Sequence, residues 1–168
     1  MKLTKRLKTM LKYFINQLRF LLIPGMKNLI TQLKDHEGEV KRRDRHMPYF
    51  CSANKETIGF GRNLDDNGIR DDEAMYLLIN DISSSRRELL YRYPWAENIN
   101  GARQCAFINM IFNMGIYSFS GFKKMIYYAK DGDWYRAGEE AKDSKWYRDD
   151  VAKSRSKQII KQIQTGLW

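Results

Sequence analysis

The sequence predicts an α+β fold that is mainly helical, and three observations carry the prediction. Apolar residues recur at helical spacing over most of the 168 residues. Strand chemistry is confined to one stretch, Thr57-Ile58-Gly59-Phe60-Gly61, where a β-branched and aromatic run is punctuated by glycines. The length suits one domain with a sizeable core, and a two-lobed domain with a cleft fits it equally.

Composition narrows the function classes. The net charge of +10 and pI near 9.6 call for an acidic partner, whether wall polymer, anionic membrane surface or nucleic acid. Residues 1–25 carry six bases and no acid, leaving +4 for the remainder. Beyond residue 25 acids interleave with bases and no nucleic-acid-binding signature appears, which argues against nucleic acid. Cys51 and Cys105 are too few for a disulfide framework, so synthesis in a reducing cytoplasm is expected. Cys105 lies in a nearly all-apolar segment and is expected to be buried. His36 and His46 lack further ligands at metal-site spacing, and Val40 breaks a zinc motif at His36-Glu37. No metal, no other cofactor and a monomer are expected.

The elements follow in order. Residues 2–22 place Leu3, Leu7, Met10, Leu11, Phe14, Leu18, Leu21 and Leu22 at helical spacing with lysines opposite, and Pro24-Gly25 stops them. The run is too short and too interrupted to span a bilayer, and no small-residue cleavage site marks it as a good signal peptide. A basic amphipathic helix on anionic lipid is one reading of this extension, residues 1–25; a helix packed on its own domain is the other. Leu29, Ile30 and Leu33 predict a short helix ahead of Glu37. Asn63 to Gly68 is turn chemistry. Asp71, Asp72 and Glu73 open a helix with Ala74, Leu77, Leu78, Ile82 and Leu89 as its stripe, broken at Tyr93-Pro94-Trp95. Residues 105–114 are apolar nearly all round and predict a central, buried helix, with Asn109 and Asn113 as polar exceptions. Shorter helices carry Phe122, Met125, Ile126 and Ala129, then Trp134, Ala137 and Ala141. A last helix carries Val151, Ala152, Arg155, Ile159, Ile160 and Ile163. Trp134, Trp146, Tyr147 and Trp168 are expected in the core.

Glu37-Gly38, Tyr49-Phe50-Cys51 and Thr57-Ile58-Gly59-Phe60-Gly61 stand in the order of a known pattern. They resemble the signature of the phage-type lysozymes, the endolysins that cut peptidoglycan. Ala102 to Gly115 resembles that family's central helix, and Ser144 to Tyr147 and Thr165 to Trp168 its closing motifs, so the likeness covers residues 26–168. Cys51 to Thr57 keeps the family's five-residue gap. Two features depart from it. Cys51 stands where most members have Asp, and thirteen residues rather than eight separate Glu37 from it.

The resemblance implies a lysozyme-like two-lobed fold, with a small β-containing lobe and a helical lobe around a cleft. It also implies bacterial peptidoglycan as substrate, synthesis in the host cytoplasm and action on the wall after release through the inner membrane. Glycosidic cleavage needs a proton for the leaving oxygen and support for an oxocarbenium-like centre. Glu37 is the candidate acid, and burial would raise its pKa into the useful range. Arg155 matches the family's arginine that positions this acid. Cys51 occupies the place of the residue that activates water, Thr57 can hold that water, and nearby Lys41, Arg42, Arg43 and Arg45 could favour thiolate. Gly59 and Gly61 would let a glycan lie against backbone, and Asn113 matches a cleft-lining place. Three readings stay open: hydrolysis of the MurNAc–GlcNAc β-1,4 bond, lytic transglycosylation giving anhydro products, and a non-enzymatic wall- or membrane-binding protein.

Overall fold

The computed structural model describes residues 15, 18, 19, 21–150 and 153–168. Most of the expected N-terminal helix, and Val151 and Ala152, lie outside the described residues. Ile15, Leu18 and Arg19 are helical, and the chain turns over 21–25 as Pro24-Gly25 predicts. The fold is α+β and mainly helical, with two small antiparallel sheets. The chain divides into two compact units, Met1–Met75 and Tyr76–Trp168.

In the first unit, helix α1 (Met26–Glu37) ends at Gly38, whose φ of 65° is open to glycine and whose N–H bonds back to the Lys34 carbonyl. Leu29 and Leu33 stay exposed on α1. The long span after Glu37 is not a loose loop. It folds into a hairpin of β1 (Lys41–Arg42) and β2 (Arg45–His46), pairing Lys41 with His46 and Arg42 with Arg45. The two turn residues, Arg43 and Asp44, both have positive φ, as a type I′ turn demands. A three-stranded sheet follows in the order β3 (Tyr49–Phe50), β4 (Glu56–Ile58), β5 (Arg62–Asn63). Its register sets Tyr49 and Asn63 on either side of Thr57. Where turn chemistry alone was expected, Leu64–Asn67 closes one helical turn, α2, because the Asn63 side chain caps the Asp66 amide. The Asp65 carboxylate accepts the Glu56 amide at 3.0 Å, tying α2 to β4.

Helix α3 (Asp71–Arg92) opens on three acids and ends before Pro94, where a 3-10 turn (Pro94–Asn98) takes over. Of its expected stripe, Leu89 is fully buried while Leu77, Leu78 and Ile82 are exposed. In the second unit the centre is α4 (Gly101–Phe119), started by the Asn100 side chain, which accepts the Ala102 and Arg103 amides. Around it pack α5 (Lys123–Asp131), α6 (Trp134–Lys142), a π-helical turn (Trp146–Asp150) and α7 (Lys153–Thr165). Phe107, Met110 and Phe119 of α4 share one core with Leu89, Met125, Ile159 and Ile163.

Two burial expectations are corrected here. Helix α4 buries one face only: Ala106, Phe107, Met110 and Ile111 point inward, while Cys105, Asn109, Phe112 and Asn113 form the opposite, exposed stripe. An apolar composition does not bury a helix all round when the neighbours cover only one side. Cys105 is therefore exposed, not buried. Trp168 is 73% exposed, outside the core that holds Trp146. Arg103 has a role the sequence did not disclose. Its guanidinium donates to the Ile163 and Gln164 carbonyls at the end of α7 and stacks on Trp134, 4.4 Å from the ring centre. A cation there satisfies carbonyls that a helix end leaves free. Gly166 has φ +70°, and a Cβ there would come within 3.2 Å of that guanidinium.

Candidate active site

Glu37, Cys51, Thr57, Gly59 and Gly61 all belong to the first unit; Asn113 and Arg155 belong to the second. Within the first unit the structure joins residues far apart in sequence. Three residues, Gly59-Phe60-Gly61, link β4 to β5, and both glycines have positive φ. That turn meets the end of α1. A Cβ on Gly61 would stand 2.5 Å from Glu37 Oε2 and 2.9 Å from its Cδ, so a side chain there would push the carboxylate aside. Phe60, between them, takes the Lys34 ammonium over its ring at 4.6 Å and the His46 ring edge-on at 4.9 Å. Helix end, extra hairpin and glycine turn thus meet around one aromatic ring. No sequence signal marked Phe60 for this. Glu37 itself is exposed, so the burial expected for the acid is not seen at its side chain.

Cys51 begins the turn between β3 and β4. Its amide donates to the Lys55 carbonyl at 3.0 Å, and the Asn54 amide donates to its carbonyl at 2.8 Å. This geometry turns backbone N–H groups toward the sulfur. The amides of Lys55 and then Ala53 hold the thiol below its ordinary value, partial burial opposes them, and the Thr57 hydroxyl adds to the lowering. The leading influence is therefore backbone amides rather than the basic hairpin. Lys55 is itself anchored to Asp66 at 2.9 Å, and that partner raises its pKa.

Thr57 is 3% exposed, and its hydroxyl donates to the Lys55 carbonyl at 3.0 Å. Its one proton serves either that carbonyl or the Cys51 sulfur. The three members of the Cys51–Lys55–Thr57 group lock each other's geometry.

In the second unit, Arg155 is held by Asn109. The guanidinium donates to the Asn109 side-chain oxygen at 2.6 and 3.2 Å and to its carbonyl at 3.4 Å. The exposed Asn109 is thus an orienting residue, a role the sequence left unassigned. Asn113, also exposed, accepts the Trp146 indole N–H at 3.1 Å. Asn113 and Trp146 line a concavity of about 600 Å³ with Phe122, Lys123, Lys124, Glu140 and Lys145, whereas Asn109 and Arg155 line a separate one with Phe112 and Trp168. The size of the first is in the range of ligand pockets. Among the described residues, no group of His, Cys, Asp and Glu side chains could hold a metal ion, and no single helix is long and apolar enough to cross a membrane.

No protein-family model matches this chain.

Proposed function

We propose that this chain is a phage-type lysozyme, a muramidase that hydrolyses the MurNAc–GlcNAc β-1,4 bond of peptidoglycan in host-cell lysis. In this reading its two units are the two lobes of a lysozyme-like fold. The observation that carries the proposal is the approach of Glu37 to Gly61. Two motif elements separated by more than twenty residues meet at a glycine whose added Cβ would touch the carboxylate, in the same unit as the Cys51–Thr57 pair.

The chemistry then divides as follows. Glu37 gives its proton to the leaving oxygen. The Cys51 thiolate, favoured by the Lys55 and Ala53 amides, takes a proton from the attacking water. Thr57, buried and bonded, acts through the sulfur. Gly59 and Gly61 give the glycan a backbone surface. Residues 2–22 hold the protein to an anionic membrane surface.

Reducing-end analysis of digested peptidoglycan by mass spectrometry tests this. New reducing MurNAc ends are expected. Anhydro ends would replace hydrolysis with transglycosylation, and no new ends would leave a wall- or membrane-binding protein.

A further inference from the structure

A second concavity in the helical unit, about 500 Å³ in volume, is built quite differently. Arg92 from the end of α3, Trp95 from the 3-10 turn, and Lys123, Tyr127 and Lys130 from α5 line it. On α5 the last three recur at helical spacing and so share one stripe. The lining holds three cations and no acid. Among the described residues none of the three forms an ion pair, whereas nearby charges are matched: Lys124 faces Glu140 and Arg86 faces Glu97. Like charges gathered round one concavity repel, and a bound anion relieves that cost.

The lining also says which anion. A carboxylate brings one negative charge, while a phosphomonoester brings about −1.5 to −2 and three acceptor oxygens, a better match to an arginine fork and two ammoniums. Tyr127, 68% exposed, and the half-buried Trp95 add ring surface for an apolar sugar face. The volume lies within the range of small-ligand sites. The three cations and the two aromatic rings line the same hollow, which suits a phosphate carried on a sugar. We propose that this concavity binds a phosphorylated saccharide. Lys123 also lines the Asn113 concavity, but Arg92, Trp95, Tyr127 and Lys130 belong to this one and none of them is a residue of the proposed hydrolysis, so either reading can fail without the other.

The full chain titrated with glucose 6-phosphate, glucose, inorganic phosphate and AMP, followed by NMR, tests the proposal. Glucose 6-phosphate should bind at least tenfold tighter than glucose or inorganic phosphate and shift the Arg92 and Tyr127 side-chain signals. Arg92→Gln with Lys130→Gln should weaken it at least tenfold with backbone shifts otherwise unchanged, and Lys123→Gln alone should weaken it less. Tyr127→Ala should reduce it to the level of inorganic phosphate. Equal binding of phosphate and glucose 6-phosphate would reduce the site to a patch for simple anions. Tighter AMP binding would make it a nucleotide site. Full binding by the double variant would place the anion elsewhere and overturn the proposal.

Discussion

Gly61 is the residue whose replacement says most about the proposed acid. It holds φ +77°, and the smallest added side chain would meet the Glu37 carboxylate. Gly61→Ala should displace that carboxylate, and a misplacement of about 1 Å can cost about 10²-fold in rate. The expected result is a large fall in kcat measured on purified peptidoglycan. Glu37→Gln should lose about 10²–10⁴-fold while keeping the fold, because an amide cannot donate the proton. Wall lysis within a few-fold of wild type would take Glu37 out of the mechanism. Cys51 predicts a pH profile. Its thiol lies below the ordinary range, so the thiolate persists to lower pH than in an unperturbed cysteine. Activity should fall as pH drops through that lowered value, and the stability that the folded-state hydrogen bonds lend the thiolate disappears over the same window. Cys51→Asp should move the acid limb of the profile down into the carboxylate range, and Cys51→Ala should flatten it. Alkylation of residue 51 at pH 7 should outpace that of a cysteine peptide. Mapping the labelled site is needed because Cys105 is exposed, more so than the half-buried Cys51.

Elements carry their own tests. The β1–β2 hairpin places Arg43 in left-handed backbone, which costs an L-residue with a long side chain roughly 1–2 kcal/mol. It also sets Arg42 directly opposite Arg45, a like-charge pair that works against the strands. Arg43→Asn should recover part of that cost and raise the thermal midpoint, since Asn tolerates positive φ. An unchanged or lower midpoint would mean that the turn is not strained. Asn100 makes the opposite prediction. It caps α4 with two amide bonds, so Asn100→Ala should destabilise the protein by about 1 kcal/mol in urea unfolding. The five residues that lengthen the Glu37–Cys51 span are absorbed by this hairpin. Alternation and charge in KRRDRH do not announce it, because neither turn residue is glycine or asparagine.

At the scale of the whole molecule, the basic N-terminal segment should be separable in function from the rest. Protein beginning at Met26 should digest peptidoglycan and bind anionic vesicles less well, having lost six positive charges and an apolar stripe. Equal vesicle binding by both forms would count against the membrane role. The sequence by itself determined the helix order, the break at Pro94 and the glycine turn after Thr57-Ile58, because caps, prolines and apolar spacing act within a few residues. It marked Glu37, Cys51 and Thr57 by motif. Only the tertiary structure decided that Glu37 lies against Gly61 and that Asn109 holds Arg155. It also decided that Cys105 and Trp168 are exposed. These outcomes depend on which surfaces meet across tens of residues. A spacing pattern shows that a face is apolar, but the neighbour that covers it, or fails to, is chosen by packing.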